Sequence, residues 1–530
     1  MGATARAGRL MLVIVLVAGS LLAGAAAAAH AAGTPIQAID NATVTSFDGE
    51  PIVVDFYPAA GLTTGQTAPT VLDGSGWGFP AYPASLANVD GFPIDVGDLL
   101  AVDFGTDLLG PATLIADGYN VVTWDPRGWF ASGGQVNFDS PYYEGRDVSA
   151  IINWVATLPG VRLKGPDDPV VGMTGAGYGG GVQLSAAALD HRLDAIEPNM
   201  SWYSLPDSLD PDGVIKQGWG NILCWTGELE GARYAPYLSG ICGAENSGQV
   251  TPAEIQGAEQ AGPGSLVRRI TTPTLLMGGT VDTLFPLNGD VQTYEALRAA
   301  GTPVQMIWYC GGYGNCYLPA GPPGYVSSIE LAFLDKYLKR DDVSTGPAFQ
   351  YLDQTGTWHS APAYPVPFTG QVTASGSATL DLNPVDDSGE YIEGSPGFNA
   401  VDFDISPPST SVETLFDPQL TLTYEGTASE PQAPIFAQLL DTLDDVAGEP
   451  GVAERVALDG QVTPISLTLD GRRHTITVPL NTVVWNLTPS SRLELDLEGA
   501  SNLYVEHPPT GQVQLIAHLI WPTSVPGPTS

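Results

Sequence analysis

Between about residues 40 and 340, short apolar and β-branched runs alternate with stretches of helical periodicity, which argues for a mostly parallel sheet with crossover helices. Ile52–Phe56, Thr70–Leu72, Asn120–Trp124, Val170–Thr174, Thr274–Met277 and Val304–Tyr309 read as the strands. After the third of them, Val148, Ile151, Ile152 and Val155 fall at i, i+3, i+4 and i+7, one face of a helix. A further helix is predicted from Val291 to Ala300, with Asp290 as its N-cap and Gly301 as its stop. Residues 200–270 are rich in Trp, Gly and Pro, break the alternation, and read as a helical insertion over the sheet. Beyond about residue 360 the pattern turns to Thr/Val/Leu alternation with Gly, Pro and Asp turns, as in Gln371–Leu382, Leu420–Tyr424, Ile465–Leu469, His474–Val478 and Val513–Ile520. That is the signature of an all-β sandwich. The expectation is an α/β domain over 33–350 with a cap at about 200–270, a connector near 341–365, and a β-sandwich within 351–530.

The N-terminus places Arg6 and Arg9 before an apolar stretch, Leu10 to Leu22, and ends in the small-residue run Ala29-His30-Ala31-Ala32. This reads as a cleaved secretory signal over residues 1–32, cut near Ala31 or Ala32. A membrane anchor is the weaker reading, because the second half of the stretch is mostly alanine and glycine. The chain is therefore expected outside the cell and off the membrane once the signal is removed. Export also bears on Cys224, Cys242, Cys310 and Cys316, the only cysteines. An even number in an exported chain suggests disulfides, and three pairings are open. The local choice, Cys224 with Cys242 and Cys310 with Cys316, is the expected one. No CxxC or HxxxH spacing is present, so neither a metal site nor a cofactor is expected.

Composition narrows the partners. The 530 residues are 43% hydrophobic, in the range of folded globular chains, and carry 58 acidic against 19 basic residues, a net charge of −39. Such a surface repels phosphate backbones, which excludes nucleic acids and anionic membrane surfaces as natural partners.

The richest stretch is Val170-Val-Gly-Met-Thr-Gly-Ala-Gly-Tyr-Gly-Gly-Gly-Val-Gln183. A buried strand, a glycine-rich turn and a small-residue helix describe the G-x-S-x-G nucleophile elbow of an α/β-hydrolase. Here the middle position is Gly177. Other segments carry the same likeness: Asn120-Val-Val-Thr-Trp-Asp-Pro-Arg-Gly128 with Ser132-Gly-Gly134, Glu144-Gly-Arg-Asp147, Asp190-His-Arg-Leu-Asp-Ala-Ile196, and Pro273-Thr-Leu-Leu-Met-Gly-Gly-Thr-Val-Asp282. Together they resemble the X-prolyl dipeptidyl aminopeptidase and cocaine-esterase-like acyl hydrolase family in its secreted form. The β-rich tail, with Leu439-Leu-Asp and Leu469-Asp-Gly-Arg, resembles the family's C-terminal jelly roll. The resemblance implies an α/β-hydrolase domain with a helical cap, followed by that jelly roll.

The resemblance also places the family's Ser, Asp and His on Gly177, Asp282 and Tyr313, so Asp282 alone survives. The family's Gly-Gly-His-Gly turn stands here as Gly311-Gly312-Tyr313-Gly314, and its oxyanion loop as Ser75-Gly76-Trp77-Gly78. The backbone of that loop, with the Tyr178 N–H, retains the means to form an oxyanion hole. Glycine has no nucleophile, and a phenol with an ordinary pKa of about 10 is a poor general base near neutrality. The leading expectation is a secreted, non-catalytic pseudo-hydrolase that binds a peptide, ester or glycan. Trp77, Trp129, Trp202 and Tyr178 would line its pocket, or else pack as ordinary core. The alternative is a serine-type prolyl dipeptidyl-peptidase or esterase with an atypical site, for which Ser75 is the substitute nucleophile. A third reading gives the function to the jelly roll, with Asp386, Asp387 and the acids from Asp441 to Asp445 as weak calcium candidates. His191, His359, His474, His507 and His518 read as ordinary surface or hydrogen-bonding residues.

Overall fold

The computed structural model describes residues 33–81, 108–243, 250–316, 319–383, 392–444, 453–504 and 509–529. The expected signal segment lies outside them, as do Asp386, Asp387, Asp445 and His507. Among the described residues no helix is long and apolar enough to cross a membrane.

Ten strands form the first sheet: β1 (Ile39–Thr45), β2 (Pro51–Tyr57), β3 (Thr70–Asp73), β4 (Asn120–Trp124), β5 (Val171–Thr174), β6 (Leu193–Ile196), β7 (Thr274–Gly279), β8 (Val304–Tyr309), β9 (Phe349–Leu352) and β10 (Trp358–Ala361). Their spatial order is β1-β2-β4-β3-β5-β6-β7-β8-β9-β10. Pairing is parallel from β4 through β9 and antiparallel at both margins. The central strands are apolar on both faces because helices cover both. On one side lie α2 (Glu144–Val155), α3 (Tyr178–Ala187) and α8 (Leu287–Ala300), and on the other α1 (Pro111–Ala116) and α9 (Tyr325–Leu334). Val148, Ile151, Ile152 and Val155 of α2 are fully buried, as their spacing requires.

Two local expectations change. Helix α8 starts a turn earlier, at Leu287, with Pro286 as its N-cap; Asp290 lies inside the first turn, buried against Gly278. The stretch 341–365 is also more than a connector, because β9 and β10 extend the first sheet through it. The insertion between β6 and β7 is helical, with α4 (Leu205–Leu209), α5 (Gln217–Leu229), α6 (Pro236–Gly243) and α7 (Pro252–Ala258). Cys224 in α5 is joined to Cys242 in α6, and Cys310 to Cys316, the local pairing in both cases.

The second domain is all antiparallel. Its strands are β11 (Gly370–Leu382), β12 (Val401–Ile405), β13 (Val412–Thr414), β14 (Gln419–Leu443), β15 (Glu454–Ala457), β16 (Thr463–Pro479), β17 (Trp485–Leu487), β18 (Leu493–Glu498) and β19 (Gly511–Thr523). The main sheet runs β11-β19-β14-β18-β12, with β15 and β16 also pairing β14, and β13 pairs β17. Alternate residues such as Leu420, Leu422 and Tyr424 point into a separate apolar core. This domain packs over the cap: Phe436, Val462, Leu503 and Tyr504 share a cluster with Trp129, Trp202 and Trp219.

Candidate active site

The elbow is built from glycines that let three backbones meet. Strand β5 ends at Thr174, the chain turns through Gly175 (φ 132°) and Gly177 (φ 57°, ψ −116°), and α3 begins at Tyr178. The φ of Gly177 lies in the left-handed region that costs glycine least. Its N–H donates to Asn199 O at 3.0 Å, and its carbonyl accepts the Gly180 and Gly181 N–H groups at 2.9 Å each. A Cβ on Gly175 would stand 2.7 Å from Gly74 O, and one on Gly179 would overlap the same oxygen. The loop after β3 therefore sits directly against the start of α3. The buried Gln183 amide donates to the carbonyls of Gly175 (3.0 Å), Gly179 (3.1 Å) and Glu197 (3.1 Å), fixing the turn from below.

Asp282 follows β7 and is fully buried. Its Oδ1 accepts the N–H groups of Leu284 (3.0 Å) and Phe285 (2.7 Å), while Oδ2 has no hydrogen-bond partner among the described residues. Burial pushes this carboxyl up to about 8, against the opposing pull of those two N–H groups and of Lys216. Lys216, from the cap, is the residue that sequence reasoning missed. Its ammonium is 2% exposed and donates to Thr283 O (2.6 Å) and Leu284 O (3.3 Å), and burial lowers its pKa to about 7. The available signal was a single lysine between Val214-Ile215 and Trp219 in an otherwise apolar stretch.

Tyr313 lies between the two cysteines of the 310–316 disulfide. A Cβ on Gly312 (φ 124°) would stand 2.6 Å from Asp282 Cβ, so the turn that carries Tyr313 rests on the backbone of the acid. The Tyr313 ring meets Trp219 at 5.6 Å and Phe285 at 5.8 Å, both edge to face. Its hydroxyl fills the place of a Cβ on Gly177. Burial and the Asp282 carboxylate both raise the phenol's pKa above its ordinary value. The fold thus brings positions 177, 282 and 313 together at the C-terminal edge of the sheet.

The remaining expected residues are placed differently. Ser75 Oγ donates to Trp124 O at 3.1 Å and so ties the loop to β4. Trp77 meets Trp129 at 4.8 Å and Tyr178 at 5.3 Å, both edge to face, and its Nε1 reaches Leu223 O of the cap at 3.0 Å. Trp202 stacks on Phe285 at 4.6 Å and donates to Ala261 O at 3.3 Å. Trp129 and Trp202 are each 1% exposed and Tyr178 is 4% exposed. These three rings are core packing above the elbow and not the walls of an open pocket. Of the histidines, His474 bonds Asp470 (2.8 Å) and His518 bonds Ser375 (2.8 Å) on the β domain, but His359 is buried.

Comparison with known proteins agrees with this fold. Residues 48–234 match the model of the X-Pro dipeptidyl-peptidase (S15 family). That stretch, about a third of the chain, is similar to the S15 family. It takes in the Ser75–Gly78 loop, the Asp125-Pro-Arg-Gly128 turn, the Gly175–Gly179 turn and the start of the cap. Among solved structures, the chain is similar to a CocE/NonD family hydrolase from Staphylococcus aureus, at 15% identity over 92% of this chain and 93% of that one, with a TM-score of 0.62. It is also similar to an aminopeptidase from a marine sediment Thaumarchaeota archaeon, at 14% identity over 92% and 96%, with a TM-score of 0.68. An α-amino acid ester hydrolase matches at 16% identity over 95% and 98%, with a TM-score of 0.65. These matches span both domains, and at such identities they establish the fold: an α/β-hydrolase domain followed by an antiparallel β domain. No curated protein sequence matches the chain.

Proposed function

We propose that this S15-like chain is an exported, non-catalytic relative of acyl hydrolases that binds a peptide, ester or glycan. The observation that carries the reading is the Tyr313 hydroxyl standing where a nucleophile's Cβ would be at Gly177. Acyl transfer through a serine needs an Oγ at the elbow, a base near pKa 7 to take its proton, and an acid to orient that base. Gly177 supplies no Oγ. Tyr313, its pKa raised by burial and by Asp282, stays protonated near neutrality and can donate a proton but not accept one. Asp282, with a pKa near 8, is held largely as a neutral carboxyl at pH 7 and is poorly suited to stabilise an imidazolium. Triad loss leaves only about 10³- to 10⁴-fold acceleration from binding and the oxyanion hole. Ser75 is a poor substitute, because its hydroxyl is engaged by Trp124 O. Two disulfides and the N-terminal arginine-apolar-alanine segment support export.

The test compares the wild type with the Gly177→Ser/Tyr313→His double variant on aryl esters and prolyl-dipeptide anilides, together with fluorophosphonate labelling. The expected result is turnover and labelling in the double variant alone. Wild-type turnover at an ordinary enzymatic rate, or wild-type labelling, would overturn the reading.

A further inference from the structure

The joint between the two domains holds a side-chain cluster that the elbow does not use. Asp353 follows β9, His359 lies in β10, and Glu413 comes from β13 of the β domain. They are 3%, 4% and 1% exposed. His359 Nε2 stands 3.0 Å from Asp353 Oδ2 and 3.1 Å from Glu413 Oε1. Among the described residues, this is the one group of His, Cys, Asp or Glu whose ligand atoms all lie within 4.8 Å of one another.

The remaining polar atoms of the three side chains already have partners. His359 Nδ1 lies 3.1 Å from the Gly527 carbonyl, which can only accept, so Nδ1 carries a hydrogen. Asp353 Oδ1 accepts the N–H groups of Thr355 (2.8 Å) and Thr357 (3.1 Å) and the Thr355 hydroxyl (2.6 Å). Glu413 Oε2 accepts from the Tyr351 hydroxyl, which in turn receives the Gly527 N–H at 3.0 Å. What is left is the imidazole Nε2 and two carboxylate oxygens aimed at one another. Glu413 Oε1 is buried, and among the described residues its ion-pair neighbour is His359 Nε2.

A bound cation satisfies all three atoms at once. A proton on Nε2, directed to Asp353, leaves Oε1 without a donor and the group with one excess negative charge in a dry interior. A divalent ion balances both carboxylates against a neutral imidazole. Metal–ligand legs of about 2.1 Å give tetrahedral ligand-to-ligand edges of about 3.4 Å; the two His359 separations are a few tenths of an ångström shorter, and all three ligand atoms lie within 4.8 Å of one another. One nitrogen and two oxygens, each oriented by a hydrogen bond at its far side, form a donor set suited to a borderline ion.

We propose that Asp353, His359 and Glu413 bind a divalent metal ion such as Zn²⁺, which clamps the β domain and the C-terminal tail to the edge of the hydrolase sheet. Glu413 lies 54 residues beyond His359, so no short spacing motif reveals the set. The inference is independent of what the elbow binds.

The test uses the chain without residues 1–32, stripped with EDTA, equilibrated with zinc sulfate and desalted. Metal content is measured by mass spectrometry and stability by thermal melting. The expected result is one zinc per chain and a higher Tm with zinc than with EDTA, both effects being lost in His359→Ala and in Glu413→Gln. Absence of stoichiometric zinc with identical melts, or zinc retained in full by both variants, would overturn the proposal. Should the variants not fold, the wild-type comparison of zinc against EDTA decides alone.

Discussion

The Tyr313 hydroxyl occupies the space in which a Cβ on Gly177 would stand, with Tyr313 Cζ only 3.3 Å from that point. The two residues are therefore sterically matched: a phenol reaches the elbow because the elbow has no side chain, and the turn tolerates its backbone angles because glycine occupies it. A side chain added at 177 alone therefore meets the phenol.

The first prediction follows from that match. Gly177→Ala adds a side chain at φ 57° and also collides with the hydroxyl. Strain at such a position costs about 1–3 kcal/mol before the collision is counted. In a Tyr313→Phe background the hydroxyl is gone, so the penalty for Gly177→Ala should shrink. Urea melts of the four proteins in this double-mutant cycle measure the coupling. Strictly additive penalties would show that the contact carries no energy.

The pattern of apolar runs was enough to locate β2, β3, β4, β5, β7 and β8, because each is a mostly apolar or β-branched segment. It was not enough for β9 and β10, four residues each, where alternation and chance look alike. Asp290 was misplaced for a related reason: a carboxylate before a periodic run suits a cap, but here the helix begins under Pro286 and the side chain is buried. Positions 177, 282 and 313 were legible because each closes a motif. Their mutual contact was not, since it depends on loops after different strands converging at one edge of the sheet. Lys216 and the Asp353/His359/Glu413 cluster belong to the same class of tertiary facts.

Asp282 makes stability pH-dependent in a defined direction. Its folded-state pKa of about 8 stands above the ordinary 3.8, so between those values the folded chain holds a proton that the unfolded chain has released. Stability contributed by this group is full below about pH 4 and falls as pH rises toward 8, with a slope of up to about 1.4 kcal/mol per pH unit. Asp282→Asn keeps the acceptor for Leu284 and Phe285 and cannot ionise. Its Tm relative to wild type should rise steadily between pH 5 and pH 8 and change little above that. A constant difference across the range would mean that the carboxyl is ionised throughout.

The turn after β4 depends on one buried cation. Arg127 donates from Nε and Nη2 to the two Asp147 oxygens, at 2.8 and 2.7 Å, and from Nη1 to Asp48 at 2.7 Å, with its own side chain 3% exposed. Asp147 is also 3% exposed, so removing the guanidinium strands a charge inside the protein. Arg127→Ala should cost about 3–5 kcal/mol. Arg127→Lys should recover only part of that, because an ammonium cannot serve both Asp147 oxygens as a planar fork does. Denaturant midpoints order the three proteins, and a lysine variant equal to wild type would contradict the argument.

The two disulfides should prove unequal in a way that returns to the elbow. Cys224–Cys242 closes a sequence separation of 18 within the cap, and Cys310–Cys316 one of 6 around Tyr313. Loop-closure entropy makes the longer staple worth more, by about 1 kcal/mol. Cys224→Ser/Cys242→Ser should therefore lower stability further than Cys310→Ser/Cys316→Ser, as read by calorimetry. The shorter loop has a second role, because it holds the phenol over Gly177. With Cys310 and Cys316 replaced, Tyr313 can retreat, and the penalty of Gly177→Ala should fall as it does in the Tyr313→Phe background. The cap pair lies away from that contact and should leave the Gly177→Ala penalty unchanged. An equal effect of both disulfides on that penalty would mean that the 310–316 loop does not hold the phenol in place.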